Sequence, residues 1–203
     1  MPQPEAVQVV WRSFELDPRA PAVQAAGTSY AERLARKYGT TPEQAEAMIA
    51  RMTSVAAAEG LEFRFDRVRP GNTFDAHRVL HLAQERGIQA AVKERLLRAY
   101  MTEGEAIGDR ETLERLGGET GLDRAEVRRV LASAAYAAEV RADEAEAERL
   151  GIHAVPFFVL ADRYGVAGAQ PAEVLHQALR QAWEEEPRGE VAEGAACGPD
   201  GCA

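Results

Sequence analysis

The sequence predicts an α/β fold in which a large all-α insertion interrupts, or caps, a small core that contains a β-sheet. Three observations lead to this prediction. A segment rich in β-branched and aromatic residues stands near the start of the chain, and a long stretch with helical periodicity fills its middle. Near the end, two short apolar segments separated by a turn precede a final amphipathic helix.

The first third of the chain predicts one strand and two helices. Val7–Leu16 carries the β-branched and aromatic residues and predicts a strand. Ser29–Tyr38 predicts a short helix. The next helix begins after Thr41, which is a candidate N-cap, and ends at Gly60. Its expected buried stripe consists of Ala45, Met48, Ile49, Met52 and Val55.

The middle of the chain predicts one extended segment and four helices. Apolar and charged residues alternate over Leu61–Asp66, which is typical of a half-buried extended chain, and Asn72 is a candidate N-cap beyond it. The last helix is expected to continue to Leu150 through Glu139–Arg149, a charged stretch that we expect to face solvent. The four helices are Phe74–Arg86, Ile88–Glu103, one capped by Asp109 and one capped by Asp123.

The last fifty residues predict the remaining elements of the core and a tail. Val155–Leu160 and Tyr164–Ala167 are short strands, with a turn predicted over Asp162–Gly165. Pro171–Trp183 is the closing helix. From Glu184 onward the chain is rich in Glu, Gly and Ala, and we expect a flexible acidic tail.

The composition excludes several classes of partner. The 203 residues are 46% hydrophobic and 28% charged, which is typical of a globular chain. A net charge of -9 repels a phosphate backbone, so we do not expect a nucleic-acid partner. No apolar run approaches the ~20 residues of a membrane span, and no signal peptide is recognisable. We therefore expect a soluble cytoplasmic protein with no membrane partner. The oligomeric state is left open.

Five motifs resemble those of the FrnE-type branch of the DsbA family of thiol–disulfide oxidoreductases. They occur in the same order across about residues 7–183, and they are Val10–Pro18 (VWRSFELDP), Asn72–Arg78 (NTFDAHR), Gly104–Asp109 (GEAIGD), Val155–Val159 (VPFFV) and Val166–Gln170 (VAGAQ). The resemblance implies a thioredoxin-like core with a helical insertion. It also implies thiol–disulfide chemistry on cysteine-containing peptides or proteins.

The resemblance divides the chain into four segments. Residues 1–71 are expected to hold the N-terminal part of the thioredoxin-like core and a helical connection, and residues 72–150 the helical insertion subdomain. Residues 151–184 are expected to complete the core, and residues 185–203 form the flexible acidic tail with a cysteine pair.

One feature of the family is missing from this sequence. Family members begin with a strand and a Cys-x-x-Cys turn, and the dipole of the helix that follows stabilises the reactive thiolate. No Cys-x-x-Cys is present here. Either the start of the chain is placed too late or the chain is a natural truncation, and we favour the first. The core is then N-terminally incomplete, and we expect unpaired sheet edges and association through them.

The resemblance also implies where a substrate binds. In the family the proline at the position of Pro156 is cis, and the backbone of the preceding residue, here Val155, hydrogen-bonds an extended peptide like a neighbouring strand. Proline is also simply tolerated at the first residue of a strand, because no ladder donor is lost there.

The two cysteines of the chain, Cys197 and Cys202, are candidate catalytic residues. The intervening Pro-Asp-Gly is a turn sequence that can bring the two sulfurs together. The resemblance implies that the two cysteines form an auxiliary redox pair. Nearby acidic residues disfavour the thiolate form, and therefore also a role as the primary nucleophile. The alternatives are two incidental thiols or half of a metal site, although two thiolates do not complete a zinc site. We expect no metal and no cofactor.

Three histidines are candidate site residues. His77 and His81 are four residues apart on one helix face, which is a spacing that metal sites use, but no third ligand is apparent. Structural roles are therefore favoured for both histidines. The weaker hypothesis is a functional one, in which His77 faces a cleft. His153 precedes the proline loop and is a loop residue or a group that tunes a nearby thiol. Trp11 and Trp183 are expected in the core.

Three functions are compatible with these residues. The leading hypothesis is a thiol–disulfide oxidoreductase or protein disulfide isomerase-like protein acting on cysteine-containing substrates, with Val155 and Pro156 in the binding site. The second is a glutathione-dependent isomerase or transferase of the 2-hydroxychromene-2-carboxylate isomerase or kappa type, for which glutathione is a partner. The third is a non-catalytic peptide-binding thioredoxin-like module.

Overall fold

The computed structural model describes residues 7–23 and 28–185. Contacts between Cα atoms divide the chain into two compact units. The helical unit is residues 9–153, and the hairpin unit contains residues 7–8 and 154–185 of the described chain. The four-segment division expected from the resemblance stays a prediction.

Seven α-helices and one π-helical turn make up the described part of the helical unit. They are α1 (Tyr30–Tyr38), α2 (Pro42–Ala58), α3 (Phe74–Glu85), α4 (Gln89–Arg98), the π turn (Ala99–Glu103), α5 (Arg110–Glu119), α6 (Arg124–Ala132) and α7 (Ala137–Arg149). No helix of the described residues is both long and apolar enough to cross a membrane.

Local capping sets where these helices begin, as the sequence predicts. Ser29 and Thr41 each form a capping box at the start of α1 and α2, and the side chains of Asp109 and Asp123 accept backbone N–H groups of α5 and α6. Thr73 is the N-cap of α3, but Asn72 supplies the side-chain acceptor, since its Oδ1 takes the Phe74 N–H at 2.8 Å. The predicted starts of α1, α2, α5 and α6 are confirmed, whereas the N-cap of α3 is Thr73 and not the candidate Asn72.

The core of the helical unit lies between α3, α4, α5 and α6. Their apolar faces meet in one continuous cluster that excludes solvent, which is the main source of stability for helices of this length. Val140 adds an apolar contribution from α7. The largest fully buried side chains of the cluster are Leu82, Leu113, Leu116, Val79, Val92 and Val127.

The predicted strand over Val7–Leu16 is wrong. This segment has no strand partner among the described residues, and side chains of α7 bind its backbone instead. The Ser13 N–H donates to Asp143 Oδ2 at 2.8 Å, and the Glu15 N–H donates to a Glu144 oxygen at 3.4 Å. Carboxylates thus satisfy backbone groups that a sheet would otherwise pair.

The predicted helix from Asp123 to Leu150 is two helices. The chain breaks over Ser133–Tyr136, where Tyr136 adopts a left-handed conformation with φ of 60°. The break leaves backbone carbonyls without helical partners. The buried guanidinium of Arg78 donates to two of them, to Ser133 O at 2.6 Å and to Ala135 O at 2.8 Å. Along Glu139–Arg149, which we expected to face solvent, Asp143 is buried.

Three apolar residues of α2 and Trp11 are more exposed to solvent than predicted. On α2, Ala45 is buried, but the Met48, Met52 and Val55 side chains are about half exposed. Trp11 was expected in the core and is 39% exposed, with Lys93 Nζ 3.3 Å from the centre of its ring. A cation over an indole face offsets part of the exposure of that ring.

The hairpin unit consists of β1 (Phe157–Leu160), β2 (Tyr164–Ala167) and α8 (Ala172–Glu184). The strands are antiparallel, and Phe157 pairs with Ala167. Ala161 and Asp162 both have positive φ, so the reversal starts one residue before the predicted turn. The predicted strands and closing helix are confirmed. Among the described hydrophobic residues of this unit, only Ala182 is buried.

Candidate functional site

The loop before β1 presents open backbone. The Val155–Pro156 peptide bond is cis, as the resemblance implies, and the Pro156 carbonyl accepts the Gly168 N–H at 2.9 Å. Val155 is 43% exposed, and its own N–H and C=O have no hydrogen-bond partner among residues 7–23 and 28–185. An extended peptide laid beside Val155 therefore finds one donor and one acceptor ready to pair.

Contacts with Glu185 connect the turn between β1 and β2 to the end of α8. Arg163 Nη1 donates to the Glu185 carbonyl at 2.9 Å, and the Tyr164 hydroxyl donates to the Glu185 carboxylate. The hydrogen bond with Glu185 raises the pKa of Tyr164, and the same bond lowers the pKa of Glu185. The end of α8 is thereby linked to the turn that closes β1 and β2.

Cys197 and Cys202 lie outside the described residues, so their proposed redox role stays a prediction. Within residues 7–23 and 28–185, no group of three or more His, Cys, Asp or Glu side chains is arranged to hold a metal ion.

His77, His81 and His153 belong to the helical unit, where His81 is part of a polar cluster. His81 Nε2 lies 3.1 Å from Ser13 Oγ and 3.2 Å from Asp143 Oδ2. In a Ser-His-Asp catalytic triad the serine and the aspartate use different ring nitrogens. Here both oxygens face the same nitrogen, so this cluster anchors the Ser13 segment and is not arranged for nucleophilic catalysis.

His77 is enclosed beside the same segment. Burial lowers its pKa, while Glu144 and a hydrogen bond with the Phe14 backbone act in the opposite direction. A neutral His77 therefore helps to hold the extended chain against α3. His153 is exposed and follows α7. The roles in the redox site that the sequence suggested for His77 and His153 stay predictions.

Sequence reasoning missed a second polar group that connects the motifs of the helical unit. The Glu15 carboxylate, 1% exposed, accepts from Arg141 at 2.6 Å and from Asn72 Nδ2 at 2.9 Å. These partners lie 126 and 57 positions away in the sequence. The buried side of α7 carries Val140, Asp143 and Ala147 at helical spacing, and this pattern was the available signal.

A cleft of about 380 Å³ opens beside this group. One wall carries the Arg78 guanidinium, whose Nη1 donates to Asp75 Oδ1 at 2.7 Å, and Arg110 Nε donates to Asp75 Oδ2 at 2.9 Å. Each of the two arginines thus has Asp75 as a partner. The motif residues Asn72, Phe74, Asp75, Arg78 and Gly108 all line the cleft.

Comparisons with known proteins converge on one family. The model of the DSBA-like thioredoxin domain matches residues 2–180. The structure is similar to the crystal structure of a probable DsbA oxidoreductase from Streptomyces coelicolor, with a TM-score of 0.85 and 50% identity, covering 100% of this chain and 86% of that chain.

A more distant structure shares the fold alone. It is a candidate protein disulfide isomerase from Nitrosomonas europaea, with a TM-score of 0.60 and 20% identity, and the match covers 77% of this chain and 89% of that chain. None of the curated proteins matches the chain.

Proposed function

Because this chain belongs to the family of DSBA-like thioredoxin domains, we propose that it is a thiol–disulfide oxidoreductase of the FrnE type. Its substrates are cysteine-containing peptides or proteins. The similarity to the Streptomyces coelicolor protein, at 50% identity over the whole of this chain, supports the oxidoreductase class.

The open backbone of Val155 is the observation that carries the proposal. An N–H and a C=O that are exposed and unpaired, next to a hairpin, suit a peptide that docks as an additional extended strand. The backbone contacts give affinity for many sequences, which suits an enzyme that acts on cysteines in varied surroundings.

Cys197 and Cys202 are proposed as an auxiliary exchanging pair, and exchange by this sequence alone is expected to be weak because it contains no Cys-x-x-Cys. One thiolate attacks a sulfur of the substrate disulfide, and the other substrate sulfur leaves as a thiolate. The second cysteine loses its proton to solvent and attacks the mixed disulfide, which releases the substrate as a dithiol and leaves a Cys197–Cys202 disulfide. Two molecules of glutathione, the proposed second partner, then reduce that disulfide and become glutathione disulfide. The acidic residues of the tail disfavour thiolate, so slow exchange is expected.

A binding experiment tests the docking of peptide at Val155. A cysteine-containing peptide labelled with a fluorophore is titrated with the full chain and followed by fluorescence anisotropy. We expect Val155→Asp to weaken binding at least about fivefold, because a carboxylate desolvated by the docked peptide has no partner. Val159→Asp is the matched control, since Val159 is 42% exposed on the same hairpin. Equal weakening by both variants contradicts docking at Val155.

Insulin reduction by glutathione tests the exchange itself. The full chain is expected to accelerate insulin precipitation only weakly, and the variant with both Cys197→Ser and Cys202→Ser is expected to have no effect. If the full chain binds peptide but neither protein accelerates the reduction, the protein is a peptide-binding module and the oxidoreductase proposal is wrong.

A further inference from the structure

The helical unit carries an aromatic cluster that the proposed function does not use. Its members are half-exposed side chains from three stretches of the chain, two on α1, two on the loop after α2, and one on the π turn. We call it the Arg33 cluster, and it consists of Tyr30, Arg33, Phe63, Phe65 and Tyr100.

Ring contacts and backbone hydrogen bonds bring these stretches together. The rings of Tyr30 and Phe65 have centres 5.1 Å apart, and the rings of Phe63 and Phe65 meet edge to face at 5.8 Å. The Arg64 N–H donates to the Met101 carbonyl at 2.7 Å, which places the loop beside the π turn. Tyr30 and Arg33 are three residues apart on α1 and so share one helix face.

The Arg33 guanidinium has an edge without a partner. Its Nη1 donates to the Thr28 carbonyl at 2.5 Å, whereas its Nε is buried and has no hydrogen-bond partner within the part of the chain that the structure describes. A buried N–H without an acceptor costs free energy that an incoming acceptor recovers. The Nε–Nη2 edge of arginine is the fork that holds a carboxylate through two parallel hydrogen bonds.

Two phenols stand near the same guanidinium. Neither the Tyr30 nor the Tyr100 hydroxyl has a hydrogen-bond partner among residues 7–23 and 28–185. Burial raises the pKa of Tyr30, and it raises the pKa of Tyr100 to about 12. Arg33 acts in the opposite direction on both, as a cation close to both hydroxyls does. Both hydroxyls therefore remain protonated donors at neutral pH.

We propose that the Arg33 cluster binds the carboxylate of a small aromatic acid. The carboxylate accepts from the Nε–Nη2 edge of Arg33 and from a phenol hydroxyl, and the ring of the ligand packs on Phe63 and Phe65. The π turn fits this role, since such irregular turns inside helices are frequent at functional sites. The Arg33 cluster belongs to the helical unit and Val155 to the hairpin unit, and the proposal stands whether or not the chain exchanges disulfides.

Calorimetric titration of the full chain with benzoate tests the proposal. Benzoate is expected to bind more tightly than acetate, which lacks the ring, and more tightly than benzamide, which lacks the charge. Arg33→Gln is expected to weaken benzoate binding about ten- to a hundredfold, since it removes charge-assisted hydrogen bonds. Tyr100→Phe removes only a hydroxyl and is expected to weaken it less.

Arg36→Gln is the matched control, because Arg36 is exposed on the same helix and has no hydrogen bond, ion pair or ring contact with any residue that the structure describes. It is expected to leave benzoate binding unchanged, and circular dichroism checks that each variant is folded. No binding of benzoate overturns the proposal. Equal affinity for acetate and benzoate overturns the role of the rings, and equal loss in the Arg33 and Arg36 variants overturns the role of Arg33.

Discussion

At the scale of single residues, a buried carboxylate does the work that a strand partner does elsewhere. Asp143 is 7% exposed, its oxygens accept from the Ser13 N–H and from Arg12 Nη1, and His81 Nε2 lies 3.2 Å from its Oδ2. Carboxylates are rarely buried unless their lone pairs are satisfied, and here each oxygen accepts one hydrogen bond. Asp143 therefore fixes the extended segment that holds the first motif of the family.

Removing that carboxylate should release the segment. Asp143→Ala leaves the Ser13 N–H and Arg12 Nη1 without their acceptor, and we expect a loss of about 2–4 kcal/mol in the free energy of unfolding. Urea unfolding monitored by circular dichroism measures it. Asp143→Asn retains one acceptor oxygen and is expected to lose less, and Glu139→Ala on the exposed face of α7 is expected to change little. A loss below about 0.5 kcal/mol in Asp143→Ala would show that the segment is held by other contacts.

At the scale of elements, two glycines make room for the loop that contains Ala22. A Cβ on Gly71 would lie 2.1 Å from the Ala22 carbonyl oxygen, and a Cβ on Gly108 would lie 1.9 Å from the same oxygen. Neither glycine has a positive φ, so it is space and not backbone conformation that requires glycine here. The Asn72 N–H donates to the neighbouring Pro21 carbonyl at 2.8 Å, which fixes the loop at this distance.

Because both glycines make room for one carbonyl, their effects should not add. Gly71→Ala and Gly108→Ala are each expected to cost about 1–3 kcal/mol of unfolding free energy by overpacking. Once the first substitution has displaced the Ala22 carbonyl, the second meets less resistance, so the double variant should cost less than the sum. Urea unfolding of the four proteins in a double-mutant cycle gives the coupling energy. Strict additivity would mean that the two glycines act on different parts of the loop.

A comparison of the predicted with the observed elements separates features that local contacts determine from features that involve residues distant in the sequence. The helix starts at Thr41, Asp109 and Asp123 follow from side chains within three residues of the backbone they cap, and they were predicted. Val7–Leu16 forms no strand among the described residues, and Asp143, 130 positions from Ser13, accepts the Ser13 N–H instead. No local pattern contains that partner, and β-branched composition alone predicted a strand.

The same distinction applies to the candidate site. The Val-Pro hairpin was predicted, because the loop, strand, turn and strand stand together in the sequence. The buried pair of Glu15 and Arg141 was not predicted, since it joins residues that only the packing of α7 brings together. The break at Tyr136 also escaped prediction, because Arg78 accounts for it from a different helix.

At the scale of the whole molecule, the predicted family and the α/β thioredoxin-like fold with its helical insertion are confirmed. The two units nevertheless differ in how much they bury. The helical unit has a continuous apolar cluster, whereas a two-stranded hairpin with one helix offers little interior, and a hairpin alone is marginally stable in water. Stability should therefore be distributed unevenly along the chain.

Hydrogen exchange of the intact chain, followed by mass spectrometry, measures that distribution. Amides of α3 and α5, which carry Leu82, Leu113 and Leu116 at 0–1% exposure, are expected to exchange only through global opening. Amides of β1, β2 and α8 are expected to exchange at least about a hundredfold faster, because opening them exposes little buried apolar surface. If the hairpin exchanges as slowly as α5, the stability of the hairpin comes from contacts beyond the hairpin and α8. The apolar surface buried within the hairpin unit would then not determine the free energy of opening.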